Sequence, residues 1–168
     1  IHAARRNIDL TAIIAINEIY GMTGGQYAPT TKPGHLASTA PFGMIEPQMD
    51  ICKLVEAAGA NFVARGDIYH VVELEKLIFK AIHHKGFSVV EALTKFPTQF
   101  GRRNKNSKPT EMIKNIKEMN ITKKQAEKFS KEELEQKLVR GILVEKEKPE
   151  YIEEYDRITN FNKEVSLK

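Results

Sequence analysis

The chain has 168 residues, 41% hydrophobic and 29% charged, a globular composition whose length sets the expectation of one domain. Lysine and arginine exceed aspartate and glutamate by 26 to 22, and this net charge of +4 gives only a slight bias toward acidic partners. The single cysteine, Cys52, excludes an internal disulfide and cannot complete a thiolate metal site alone, so it is read as a small apolar residue.

No apolar run approaches the roughly 20 residues of a bilayer span, and the opening IHAARRNIDL lacks a signal-peptide layout. A soluble, cytoplasmic protein is expected, with no membrane partner. The first residues read as the last turns of a helix already under way, as in a fragment.

In LTAIIAI (10–16) a short, β-branched run is apolar on both faces, which predicts a strand covered on both sides, as in the parallel sheets of α/β folds. It ends abruptly in NEIYGMTGGQ (17–26). From Gly21 to Pro47 the glycines 21, 24, 25, 34 and 43 and the prolines 29, 33, 41 and 47 leave nothing periodic, so one long loop is predicted. Its Tyr27, Leu36, Phe42, Met44 and Ile45 argue for an ordered, functional loop.

Pro47 is placed in the first turn of a helix carrying Ile51, Leu54, Val55 and Ala58 at helical spacing and closed by Gly59. A second strand is predicted at 61–64. Asp67 precedes a helix, YHVVELEKLIFKAIHH, with Val71, Leu74, Leu77, Ile78, Ala81 and Ile82 on one face and Gly86 as terminator. A third strand is predicted at 87–93. This alternation predicts an α/β fold, a parallel sheet flanked by helices.

Beyond Phe100, GRRNKNSK is a cationic loop, and the remaining residues read as a peripheral tail rich in lysine and glutamate. TEMIKNIKEMN and SKEELEQKLV are predicted helices, the second with Ser130 and Glu133 as a capping box. GILVEKEKP is a strand candidate and EYIEEYDRI a last helix. The division expected is residues 1–105 against a helical extension, 106–168.

Ligands of open α/β sheets bind at the carboxyl ends of the strands, which makes NEIYGMTGGQ the candidate site. Asn17 offers a neutral oxygen and the Ile19 carbonyl can turn the same way, a pair suited to a hard cation such as magnesium. TGGQ adds a hydroxyl, an amide and backbone N–H groups free of β-carbons, which could contact phosphate. The alternative is that Asn17 and Gly21 merely end a strand while Tyr20 packs.

The segments IHAARRNIDL, IIAINEIYGMTGGQYAPTT, EPQMDICKLVEAAGANFVARG, YHVVELEKLIFKAIHHKGFSVVEAL and PTQFGRRNK, in this order, resemble the β subunit of 2-oxoacid:ferredoxin oxidoreductases, most of all the 2-oxoglutarate type. The resemblance runs to about residue 105 and recurs at GILVEKEKPEY; YGMTGGQ with PTT is its specific part. It implies that residues 1–105 are part of a thiamine diphosphate-binding domain, the C-terminal half of that fold. It also implies an α subunit completing the active site and the coenzyme A site. The implied reaction takes a 2-oxoacid, coenzyme A and oxidised ferredoxin to acyl-CoA, carbon dioxide and reduced ferredoxin.

Residue by residue, the resemblance implies Mg2+ held by the Asn17 side chain and the Ile19 carbonyl, and Gly21, Met22 and Thr23 along the cofactor, with Met22 also facing the 2-oxoacid. It implies no catalytic side chain here, since the glutamate near the pyrimidine ring would come from the partner subunit. Two departures stand out. A Gly-Asp-Gly whose aspartate is the third metal ligand has no counterpart, so the isolated chain is expected to bind cofactor weakly or not at all. Phe96 stands where relatives carrying a 4Fe–4S cluster have a cysteine, leaving open whether that iron–sulfur cluster is absent or another residue replaces the ligand.

Among the remaining candidates, His70, His83 and His84 are read as helix-end residues near the negative pole, and Glu46 and Asp50 as first-turn acids. Arg102 and Arg103 could grip an anion but fit a solvated loop. The rival function, a non-enzymatic nucleic-acid-binding or scaffold module, lacks aromatics interleaved with the arginines, and the tail's lysines alternate with glutamates; no nucleic-acid partner is expected.

Overall fold

The structure, a computed structural model, describes residues 1–105 and 108–166. Helix α1 (His2–Arg6) stops at Asn7, whose left-handed φ of 52° gives the chain a C-cap. Strand β1 (Thr11–Ile16) comes next, and then β2 (Ile19–Tyr20) and β3 (Gln26–Tyr27) pair antiparallel around the glycine turn. The predicted long loop therefore contains a short strand, and a bridge between Ala37 and Ala40 further organises it.

Helix α2 (Ile51–Ala57) begins after Pro47 rather than around it, because Asp50 is its N-cap: the carboxylate accepts the Lys53 N–H at 3.2 Å. Glu46 also lies outside the helix, with Oε1 at 3.4 Å from the Tyr27 hydroxyl. After β4 (Phe62–Asp67), Asp67 Oδ1 accepts the N–H groups of Tyr69 and His70 at 2.9 and 2.8 Å. This turn delays α3 (Val71–His83) past the expected Tyr69 and sets His70 at the positive end of the helix, against Asp67, not at the negative pole. His83 does lie in the last turn, with His84 as C-cap.

Strand β5 (Ser88–Leu93) leads into a π-helical turn (Pro97–Gly101). Asn106 and Ser107 of the cationic loop lie outside the described residues. Helix α4 (Pro109–Met119) runs into a strand that the sequence did not suggest, β6 (Asn120–Thr122), and a short helix α5 (Lys123–Ala126). The capping box precedes α6 (Lys131–Leu134): Ser130 N donates to Glu133 Oε2 at 2.8 Å and Glu133 N to Ser130 Oγ at 3.2 Å. Strand β7 (Leu138–Glu145) and helix α7 (Tyr151–Ser166) close the chain.

The sheet order is β1-β5-β4-β7-β6. Parallel pairing joins β1 to β5 and β5 to β4, but β7 runs antiparallel to β4, so the sheet is mostly rather than wholly parallel. The stretch after residue 105 thus reaches the interior of the sheet, where a peripheral helical tail was expected. Among the described residues β1 sits at the sheet margin, and its two faces are covered unequally, α3 reaching the second one at Thr11, whose hydroxyl donates to the Ala81 carbonyl at 3.0 Å. Ala12 and Ile14 pack against the core around α1 and α2, while Ile13 is 51% exposed.

The sheet has a layer on each side. Ala4, Cys52 and Val55 pack against Val63, Val89 and Val144 on one face; Leu77 and Ala81 of α3 pack against Phe62, Ala64 and Val90 on the other. Phe62 is fully buried, a contribution of about 1.5–3 kcal/mol from its side chain. A third cluster, Ile19, Ala37, Phe100 and Met112, lies under the loop and fixes it onto the sheet's carboxyl end.

Candidate functional site

In register, Ile16 of β1 pairs with Leu93 of β5, and Leu93 with Asp67 of β4, so the three parallel strands end level with one another. A cleft of about 510 Å3 opens beyond β1, bounded by the strand's last residues, the turn through Thr23, and Ala28, Pro29, Thr30 and Met49. Asn17, Ile19, Gly21, Met22 and Thr23 all line it. Met22 is fully exposed and Tyr20 is 55% exposed, so neither is a packing residue of this chain.

The backbone entering the cleft is bent at Glu18, a buried residue with φ of 63°, a conformation that non-glycine residues seldom adopt. Its carbonyl accepts the hydroxyl of Thr31, which is itself buried and also accepts the Ala28 N–H at 2.9 Å. The side chain is held at both oxygens, by Lys95 Nζ on Oε1 and by His35 Nδ1 at 2.9 Å from Oε2. Burial by itself would raise the Glu18 carboxyl, but the His35 hydrogen bond and the Lys95 charge outweigh it and hold the group at about 2. Burial pushes the nearby Lys32 ammonium down, partly offset by Glu18.

Asn17 Oδ1 accepts a hydrogen bond from the Thr94 hydroxyl. Thr94 is anchored in turn through its N–H to the Ile16 carbonyl at 2.9 Å. Glu18, Thr31, Thr94, Lys95 and His35 were not among the residues singled out by sequence. The PTT motif contains Thr31, and Thr94 comes directly after a strand whose carboxyl end is level with that of β1.

Gly24 and Gly25 have φ of 125° and 83°, and Gly25 N donates to the Tyr20 carbonyl at 2.8 Å, which closes the turn. The Thr23 hydroxyl and the Gln26 amide, expected to face an anion, bond across the turn to each other: Thr23 Oγ1 donates to Gln26 Oε1 and Gln26 Nε2 to the Thr23 carbonyl, both at 2.8 Å. At Gly21 a β-carbon would run into the Phe96 ring, so Phe96 is a wall of the motif's turn. Arg103 is also placed: its Nε approaches within 3.5 Å of where a Gly25 β-carbon would stand, at the rim of the turn.

Cys52 lies apart from Phe96. Its Sγ donates to Glu91 Oε2 at 2.9 Å, and burial, reinforced by the Glu91 charge, raises the thiol far above its ordinary value. Asp50, Cys52 and Glu91 offer atoms within 4.8 Å of one another, as metal ligands would, but Arg65 already serves both carboxylates. Its Nη2 is 2.8 Å from Asp50 Oδ1 and its Nε 3.2 Å from Glu91 Oε1, so the cluster is a closed ion-pair network. Among the described residues, no helix is long and apolar enough to cross a membrane.

Residues 1–92 match the family model of the thiamine pyrophosphate enzymes' C-terminal, TPP-binding domain. The chain belongs to the thiamine pyrophosphate enzyme family. Among curated relatives of this family member, the 2-oxoglutarate synthase subunit KorB of Methanocaldococcus jannaschii is 49% identical over 158 residues, 94% of this chain and 58% of the relative. The KorB subunit of Methanothermobacter marburgensis is 45% identical over 168 residues, 100% of this chain and 58% of the relative. The chain therefore spans under two thirds of the length of these relatives. In structure it superposes with a TM-score of 0.77 on the 2-oxoglutarate:ferredoxin oxidoreductase of Magnetococcus marinus, solved with 2-oxoglutarate, coenzyme A and succinyl-CoA bound. That match covers 99% of this chain and 60% of the other at 24% identity, and shows the shared fold.

Proposed function

We propose that this thiamine pyrophosphate enzyme chain is part of the β subunit of a 2-oxoacid:ferredoxin oxidoreductase that uses 2-oxoglutarate. The observation that carries this reading is the convergence of Asn17, Ile19, Gly21, Met22 and Thr23 on one cleft at a strand's carboxyl end. The KorB relatives support the substrate class. The assembled enzyme would take 2-oxoglutarate, coenzyme A and oxidised ferredoxin to succinyl-CoA, carbon dioxide and reduced ferredoxin, with an α subunit completing the site.

The residues present fit thiamine diphosphate with Mg2+. A neutral carboxamide oxygen on Asn17 and a main-chain carbonyl on Ile19 suit a hard cation, and the glycine turn lets backbone approach a diphosphate. Bound thiamine diphosphate supplies the nucleophilic carbon and electron sink that decarboxylation of a 2-oxoacid requires. Asn17 and Ile19 would hold its metal, and Gly21 and Thr23 would lie along it. Met22, apolar and fully exposed to the cleft, would exclude water beside the 2-oxoacid and set which side chain is accepted. The Glu18 carboxylate is committed to Lys95 and His35, so it is not free to transfer protons, and the glutamate that the resemblance implies would come from the partner subunit. A 4Fe–4S cluster would likewise draw its cysteines from elsewhere, since Phe96 packs on Gly21 and Cys52 is engaged with Glu91.

The test is ferredoxin reduction dependent on both coenzyme A and 2-oxoglutarate, measured on the subunit copurified with its α partner. Asn17→Ala should lower it at least about 10–100-fold. A purified enzyme that reduces ferredoxin with no 2-oxoacid overturns the reading. Salt-sensitive binding to random duplex DNA, with no such turnover, would favour the nucleic-acid module instead.

A further inference from the structure

A carboxamide is a poor metal ligand unless something decides which of its two ends faces the ion. Asn17 has such a device. The Thr94 N–H goes to the Ile16 carbonyl at 2.9 Å, and the single proton of the Thr94 hydroxyl has two acceptors in reach, that same carbonyl at 3.1 Å and Asn17 Oδ1. That oxygen has two lone pairs, so one can take the hydroxyl and the other a cation. A hydroxyl proton directed to Asn17 rather than to the Ile16 carbonyl selects the oxygen end and fixes the rotamer.

The turn between the two candidate ligands is held as firmly. Glu18 keeps its left-handed φ of 63° because three groups pin it: Thr31 on its carbonyl, His35 on Oε2 and Lys95 on Oε1. Glu18 also cancels a hazard. Lys95, with only 13% of its side chain exposed, is the residue after Thr94, and its ammonium would be an uncompensated charge behind the cleft were Glu18 not paired with it.

We propose that Thr94 and Glu18 are positioning residues of the cofactor–metal site: Thr94 aims the Asn17 oxygen, and Glu18 holds the turn that brings Asn17 and Ile19 to one cleft while neutralising Lys95 behind it. The inference rests on the proposed thiamine diphosphate site and concerns how that site is built. Outer contacts of this kind are generally worth 10–100-fold in metal affinity.

The experiment monitors loading of thiamine diphosphate by circular dichroism while Mg2+ is titrated into the purified, cofactor-stripped oxidoreductase, with thermal melts alongside. Thr94→Val should raise the Mg2+ concentration for half-loading about 10-fold or more with the melting temperature little changed, and Thr94→Ser should load like the parent. Glu18→Gln should shift half-loading the same way, and adding Lys95→Met to it should recover part of the loss. A merely structural role would lower the melting temperature in these variants and leave the Mg2+ dependence where it was, and that result overturns the proposal. Should Glu18→Gln fail to fold, the Thr94 pair decides. A parent enzyme that never loads cofactor overturns the functional reading along with it, whereas a parent that loads, Asn17→Ala that does not, and Thr94→Val identical to the parent overturn this inference alone.

Discussion

Two buried ion-pair networks, one around Arg65 and Glu91 and one around Glu18 and Lys95, are built on opposite principles. Arg65 and Glu91 are registered partners on neighbouring strands β4 and β5, and Asp50 closes the pair from the cap of α2; every backbone involved is regular. Glu18 and Lys95 meet beyond the strand ends, with Glu18 in a left-handed conformation. The first network holds helix to sheet and ends in itself. The second spends backbone strain to shape a cleft lined by an asparagine and glycines, and strain that survives only when its surroundings enforce it is characteristic of functional segments.

The largest effect should come from breaking the regular network. Arg65→Met leaves two carboxylates without their cation and should cost about 3–5 kcal/mol in urea unfolding, much of it regained by adding Glu91→Leu. A cost below about 1 kcal/mol would dissolve the contrast, because such values belong to surface pairs. At the cleft, Gly21→Ala drives a methyl into the Phe96 ring and should cost about 1–3 kcal/mol, with Phe96→Leu relieving it in thermal melts.

A smaller effect is expected from pH. Cys52 keeps its proton in the folded protein, where burial and Glu91 raise the thiol, but releases it when unfolded above about pH 8.5. The folded state then binds more protons than the unfolded one, so stability should be full below that pH and fall by up to about 1.4 kcal/mol per unit above it. Cys52→Ser should flatten that alkaline limb. Smallest of all, Met22→Ala should leave stability within about 0.5 kcal/mol while changing the relative rates with different 2-oxoacids, which separates a residue that serves the cleft from those that serve the fold.

Much of the first hundred residues was legible because their elements are local. The β-branched run at β1 and the helical stripe Leu74, Leu77, Ile78 and Ala81 carry their periodicity within a few turns or residues, and the structure places them in that order. What could not be read depends on partners far along the chain. GILVEKEKP was legible as a strand and its first five residues lie in β7, but the antiparallel pairing of that strand with β4 was not. The candidate site shows the same division: Asn17 and the glycines announce themselves at the end of an apolar run, whereas Thr94 and Thr31 are ordinary threonines until strand register and loop closure bring them to Asn17 and Glu18.

The antiparallel return of β7 bears on the order in which the molecule can assemble. Strand β4 is the middle of the sheet, yet Phe62 finds its neighbour on that side only at Glu145. During synthesis the half-sheet β1-β5-β4 can form early, with a long unsatisfied margin of N–H and C=O groups along β4 waiting for a distant segment. Pairings this remote in sequence close slowly and expose strand edges meanwhile. A nascent chain halted before residue 138 would therefore display, at the centre of its own architecture, the kind of open edge that recruits other chains.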